Sequence, residues 1–297
     1  KHVYSQLLDA PSNLQVDVHT IKEALGLPQE RTSEERRAVD HGRVVMSRVG
    51  PAETRISRNA RLQPTLVVVT DTAAGKARTT TMAYCEDADV TAGACPMAGL
   101  LKSTDDARTD VADVSQYHYY QADHPACATT PANCGYRKGD LWKTDNALGQ
   151  TEELLAYDVA ARVLSVKDAN GVVTDLEYSP RGWLTASKVR GANAGSDADD
   201  QITRIEYWPT GLVIQVTQPH GSFIAYVYDP AQRVTDVLDG LGNRVHYTLD
   251  KAGNRLKEDT TDPQGVLRQT LSRVYNTLGQ LATVKDASAR ATDFAYD

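Results

Sequence analysis

Long apolar runs are missing from this sequence. Those present, such as Leu66–Val69, are strand-sized and far short of the roughly 20 residues a membrane-spanning helix needs. Dense runs of Lys and Arg are missing too. The one basic stretch, Arg31–Arg37, is interrupted by Glu34 and Glu35, and the net charge is −7. A nucleic-acid surface normally carries a basic patch, so that class of partner is disfavoured. No secretory leader is recognisable. Phe and Trp are scarce, at 2 and 3 residues against 14 Tyr. Tyr suits a half-buried strand, ring inward and hydroxyl on a polar partner. That bias is the first sign of repeated β-structure. The chain begins at Lys1 and its last repeat-like unit stops at Asp297, so it is expected to be a piece of something longer.

Internal periodicity is present and gap-free over four units. Aligned on Tyr178, Tyr228, Leu249 and Tyr296, the residues two places earlier are Leu176, Tyr226, Tyr247 and Phe294. Seven places earlier stand Gly171, Gly221, Gly242 and Ala289, and ten places earlier Asp168, Gln218, Asp239 and Asp286. Twelve places earlier the residue is always valine: Val166, Val216, Val237 and Val284. Tyr157 to Tyr178, Tyr207 to Tyr228 and Tyr275 to Tyr296 each span 21 residues. The intervals Tyr178 to Tyr207 and Leu249 to Tyr275 are longer, at 29 and 26, and extra residues at a fixed phase map to loops. Tyr157, Tyr178, Tyr207, Tyr228, Tyr247, Tyr275 and Tyr296 are therefore read as structural anchors.

Each unit reads as a hairpin. Along Val172–Tyr178, Val172, Leu176 and Tyr178 share one face and Val173, Asp175 and Glu177 the other, which is the two-residue period of a strand. Asp168-Ala-Asn-Gly171 is a tight turn: Asp bonds its own backbone, and Gly accepts a positive φ. Asp239 with Gly242, and Asp262 with Gly265, repeat that chemistry. A second turn follows each Tyr, as in Ser179-Pro-Arg-Gly182 and Trp208-Pro-Thr-Gly211. Alternating turns give a continuous antiparallel sheet whose stability comes from stacking many hairpins. The expected fold is all-β, tandem antiparallel hairpins winding into a curved sheet. Residues 140–297 hold clear repeats and 61–139 divergent ones with two Cys-containing insertions. Residues 1–60 are obscure: Val16, Val18 and Val44–Met46 suit strands, and Ile21–Leu27 suits a short helix.

Tyr157-Asp158, Tyr228-Asp229 and Tyr296-Asp297 carry a Tyr-Asp pair. Around them stand elements such as Gly279-Gln-Leu281, Asp239-Gly-Leu-Gly242 and Tyr226-Val-Tyr228-Asp229. In these features the chain resembles the Rhs/YD-repeat family, strongly over about 140–297 and more weakly back to about 60. The resemblance implies a long β-spiral wound into a hollow shell. In bacterial polymorphic toxins such a shell encloses a C-terminal toxin, and toxin-complex proteins and teneurins use related shells. It implies as partners that toxin domain, the remaining repeats of the same parent chain and secretion machinery, with a secreted or cell-envelope location and no catalytic role. The family's self-cleaving aspartyl protease core is not recognisable. Asp262-Pro-Gln-Gly265 is similar to its Asp-Pro-x-Gly signature but sits at an ordinary repeat turn. The alternatives are a cell-surface or carbohydrate-binding module, with Trp183 and Trp208 stacking on glycans rather than packing over hairpin ends, and an embedded hydrolase.

Cys85 with Cys95, and Cys127 with Cys134, form local pairs in two inter-hairpin connections, each following a candidate anchor, Tyr84 or Tyr120. Disulfides pinning these insertions are expected, and with them an extracellular or envelope life. The alternatives are free thiols in a cytosolic setting and zinc held by His118, His124, Cys127 and Cys134, the latter against the loose Cys spacing. Asp197, Asp199 and Asp200 offer oxygens for calcium but lack EF-hand spacing, so a solvated acidic loop is the plainer reading. His220 and His246 sit in the repeats, one at a turn and one on a polar strand face, and Ser187 and Ser222 have no nucleophile-elbow context. No cofactor or metal is expected.

Overall fold

The computed structural model describes residues 2–23, 31–193 and 196–296. Two compact units divide it, Lys1–Gly171 and Val172–Asp297. The first holds β1 (His2–Asp9), β2 (Leu14–Glu23), β3 (Arg31–Ala38), β4 (Val44–Val49), β5 (Ala52–Arg58), β6 (Pro64–Asp71), β7 (Lys76–Tyr84), β8 (Leu101–Asp105), β9 (Val114–Tyr119), β10 (Leu141–Asp145), β11 (Thr151–Tyr157) and β12 (Val163–Lys167). The second holds β13 (Val173–Tyr178), β14 (Leu184–Val189), β15 (Gln201–Tyr207), β16 (Val213–Thr217), β17 (Phe223–Tyr228), β18 (Val234–Asp239), β19 (Arg244–Leu249), β20 (Arg255–Thr261), β21 (Leu267–Tyr275), β22 (Leu281–Asp286) and β23 (Ala291–Asp293). Two short helices, Asp87–Thr91 and Ala126–Thr129, lie in the connections after β7 and β9. The fold is all-β and antiparallel. Within each unit every strand pairs with the next in sequence.

Register gives the second unit two chemically different faces. One row runs Ile205, Val216, Ile224 across β15, β16 and β17, and another runs Tyr226, Val237, Val245 across β17, β18 and β19. Apolar side chains of neighbouring strands meet directly there, which is the packing unit of a sheet. On the opposite face a row runs Val227, Asp236, His246, Asp259, Thr270. It is held by polar contacts: His246 Nδ1 lies 2.7 Å from Asp236 Oδ1, and Lys257 Nζ 2.8 Å from Asp259.

The described residues of the N-terminal sixty form strands as well. Val16 and Val18 lie on β2 and Val44–Met46 on β4, where Val16, Val18, Ala38 and Val45 make a buried cluster with Leu7 and Leu14 against it. Of the short helix expected over Ile21–Leu27, residues 21–23 continue β2 as strand, and residues 24–27 lie outside the described residues. Beside the cluster Asp9 is fully buried. Its carboxylate accepts from Ser12, from Arg36 at 2.5 Å and from Arg55 at 3.3 Å. Burial alone would raise its pKa, but these bonds outweigh it and lower it to about 2. Charges on β3 and β5 thus replace the apolar alternation that would have marked those strands.

Candidate functional site

The recurring site is the corner where one strand ends and the next turn begins. At seven corners among the described residues a tyrosine hydroxyl donates to the carbonyl of the first residue of an earlier strand. Tyr84 reaches Pro64 at 2.9 Å, Tyr119 reaches Leu101 at 2.7 Å and Tyr157 reaches Leu141 at 2.5 Å. In the second unit Tyr207 reaches Leu184 at 2.8 Å and Tyr228 reaches Val213 at 2.9 Å. Tyr275 reaches Arg255 at 3.2 Å and Tyr296 reaches Leu281 at 2.8 Å. Each bond answers the polar end of a half-buried ring.

The same tyrosines also face forward. Tyr207 pairs with Val213, Tyr228 with Val234 and Tyr275 with Leu281, each after a shift of register. A strand's first residue is therefore held twice, by the backbone of one tyrosine and the hydroxyl of the next. Val213 sits between Tyr207 and Tyr228 in this way, and Leu281 between Tyr275 and Tyr296. Tyr178 pairs with Leu184, which also accepts from Tyr207. Tyr247 lies two places before the strand end, which Leu249 occupies; its ring carries the Arg255 guanidinium at 4.0 Å.

The residue after the tyrosine closes the turn. Asp229 Oδ1 accepts from the amides of Ala231 and Arg233, and Oδ2 accepts from Arg233 Nε at 2.7 Å. Asp158 does the same with Ala160 and Arg162. The Tyr-Asp pair thus ties a strand end backward through a phenol and organises the next turn through a carboxylate. Bonding from Arg233 holds the Asp229 carboxyl below its ordinary range. Burial raises the Tyr157 phenol to about 12.

The turns between strands of a hairpin use the same carboxylate grip. Asp168 accepts from the Asn170 amide and, through its carbonyl, from Gly171. Asp239 accepts from Leu241 and Asn243, and Asp262 from Gln264, Val266 and Arg268. Gly265 bonds back to the Asp262 carbonyl. Asp262 is thus engaged in turn closure, and hydrogen bonds and the Arg268 charge hold its carboxyl low against burial. Gly242 has φ +91, a left-handed conformation that favours glycine, and a Cβ there would press on Pro263 Cβ at 3.2 Å. Ala161, Gln232 and Ala289 take this left-handed position without being glycine.

Two insertions decorate the corners. Cys85–Cys95 and Cys127–Cys134 are disulfide-bonded, which removes two of the four donors considered for zinc. Tyr84 still pairs with Leu101 across the first insertion, and Tyr119 with Leu141 across the second. Tyr119, not Tyr120, makes the strand-end bond; the Tyr120 hydroxyl goes to Leu154 O at 2.8 Å. Tyr120 stacks on Tyr136 with ring centres 3.6 Å apart.

The remaining candidates are dispersed. Trp183 packs over the next turn, 3.0 Å from where a Gly211 Cβ would stand, and tilts on Tyr207. Trp208 is 50% exposed. His220 and Ser222 share a 2.7 Å bond in an exposed turn. Asp197 and Asp200 take Lys188, while Asp199 and Asp200 accept from the backbone amides of Asn193 and Gly191. Among the described residues no group of three His, Cys, Asp or Glu is placed to hold a metal ion, and no helix is long and apolar enough to cross a membrane. What sequence reasoning missed is the arginine partner, at Arg162, Arg233 and Arg290, four places after Asp158, Asp229 and Asp286. That spacing was its signal.

Residues 207–244 and 228–267 match the RHS repeat family model. No curated protein matches the chain in sequence. In fold it is similar to a chain in the crystal structure of TcdB2–TccC3–Cdc42, with 14% identity, coverage of 91% of this chain and 16% of that one, and a TM-score of 0.50. Against TcdB2–TccC3 the values are 14%, 94%, 15% and 0.45. Against the Photorhabdus luminescens Tc holotoxin pore they are 12%, 94%, 18% and 0.44. This chain spans about one sixth of the length of the chains it matches, and it shares the fold of the first. The repeat columns and strand-end corners agree with these matches: residues 207–267 carry RHS repeats, within an antiparallel β-fold similar to that of the TcdB2–TccC3–Cdc42 chain.

Proposed function

We propose that this chain is a wall segment of a hollow β-shell that encloses and protects a toxin cargo borne by the same parent chain, for use in bacterial competition or virulence. The observation that supports it is the corner: among the described residues the strand-end hydroxyl bond recurs at seven corners and links successive hairpins into a ladder within each unit. Such a ladder resists local opening, because freeing one strand end costs contacts on both of its neighbours. The two-faced sheet suits a boundary between unlike environments, with Ile, Val and Tyr on one side and ion pairs on the other. The partners are the cargo domain and the remaining repeats, with secretion machinery delivering the assembly. Two disulfides suit an oxidising secreted or envelope setting. The wall itself carries no chemistry; its work is exclusion of proteases.

The test is limited proteolysis of the full parent chain. The C-terminal cargo should survive protease that digests the isolated cargo, and a Tyr207→Ala, Tyr228→Ala double variant should expose it. Cargo cut at the same rate in and out of the intact parent would overturn the proposal.

A further inference from the structure

A pocket of about 410 Å³ opens between the two disulfide-pinned insertions, lined by Ala94, His118, Tyr119, Tyr120, Gln121 and Trp142. We propose that it binds a neutral pyranose unit of a glycan. This goes beyond the shell role and does not depend on it.

The chemistry of the lining carries the assignment. The hydroxyls of Tyr119 and Tyr120 are already committed to Leu101 O and Leu154 O, so these residues offer ring surface. Trp142 is 39% exposed. A pyranose presents an apolar C–H face and a rim of hydroxyls, and aromatic walls match the first. Polar groups match the second. Gln121 is exposed and makes one long contact, 3.5 Å from its amide nitrogen to Ala94 O. His118 Nε2 lies 2.9 Å from Asp145 Oδ2. Lys143 Nζ is 3.2 Å from the same carboxylate oxygen, which compensates its charge. The pocket therefore favours a neutral sugar over an acidic one. A few convergent polar groups in an aromatic cleft of this size is the usual make-up of a small-ligand site.

Both walls are fixed in advance. Ala94 adjoins Cys95, which is bonded to Cys85. Tyr120 is clamped by the Tyr136 ring and by its amide on Asp140 O at 2.9 Å. A pre-formed site loses less entropy on binding.

The experiment titrates the whole chain with maltotriose, cellotriose and N-acetylated chitotriose, followed by tryptophan fluorescence and calorimetry, with sialyllactose as the acidic comparison. Saturable binding of at least one neutral trisaccharide is expected. Trp142→Ala should weaken it about tenfold, equivalent to about 1.4 kcal/mol, and Trp208→Ala should leave it unchanged. Gln121→Ala, on the exposed rim, should weaken binding without moving the melting temperature, which keeps the test valid if Trp142→Ala fails to fold. No saturation with any neutral sugar, binding of sialyllactose alone, or affinity indifferent to both pocket variants would overturn the assignment.

Discussion

Replacing the strand-end tyrosines by phenylalanine isolates the hydroxyl, and the structure orders the outcome by burial. Tyr157 is 7% exposed and Tyr296 is 51% exposed, with Tyr228 between them. At position 157 the lost hydroxyl leaves Leu141 O without that 2.5 Å donor where water has little access. An unanswered buried acceptor costs about 1–3 kcal/mol, whereas an exposed one recovers its partner from solvent. Tyr157→Phe should therefore cost about 1–2 kcal/mol, Tyr228→Phe about 1, and Tyr296→Phe under about 0.5. For a unit of this size, 1 kcal/mol moves the melting midpoint by about 2–4 °C. Tyr228→Ala also deletes the ring and should cost about 3 kcal/mol. Calorimetry and urea titration read these shifts, and hydrogen exchange localises them to the affected hairpin. Equal losses at 157 and 296, or no loss at 157, would refute the idea that these hydroxyls hold strand starts.

Four further outcomes follow from the same geometry. Leu249→Tyr restores the missing rung, with its hydroxyl directed to Val234 O by the pattern of the other corners, and should raise stability by about 1 kcal/mol in thermal melts. Gln232→Gly relieves a left-handed φ of 64° and should raise the midpoint by the equivalent of about 1 kcal/mol. Reducing the disulfides, which close loops over 10 and 7 residues, should cost about 2–3 kcal/mol each, read as a lower melting transition in reductant. Asp9 titrates at about 2 when folded against 3.8 ordinarily; a lowered carboxyl stabilises above the unfolded value and loses that as pH falls through the folded one. About 2 kcal/mol should thus disappear between pH 4 and 2, and Asp9→Asn should flatten that part of the acid melting curve.

Legibility followed local chemistry. The repeat columns were visible because each hairpin states its own period, turn and strand end within 21 residues. The hydroxyl acceptors were not, since a backbone carbonyl leaves no mark in sequence and the donors lie 15 to 23 positions away. Tyr119 and Tyr120 are adjacent, and only the pleat decides which one looks back along the sheet and which clamps an insertion. Tyr247 and Leu249 posed the same difficulty, because an aromatic two places early imitates an anchor. Residues 1–60 stayed obscure because Asp9 draws its arginines from 27 and 46 positions away. A buried charge satisfied at that range breaks the apolar alternation that identifies strands. The aromatic pocket was invisible for a related reason: its lining comes from two insertions and two strands.

The pairing of Tyr84 with Leu101, and of Tyr119 with Leu141, has a practical bearing on engineering. Both junctions bring their ends together whatever is spliced between them, so the loop's entropy is isolated from strand register. Foreign peptides or small domains grafted at the equivalent junctions after Tyr207 or Tyr228 should be displayed from the rim without reshuffling the sheet, which makes these positions natural ports for labels, epitopes or affinity handles.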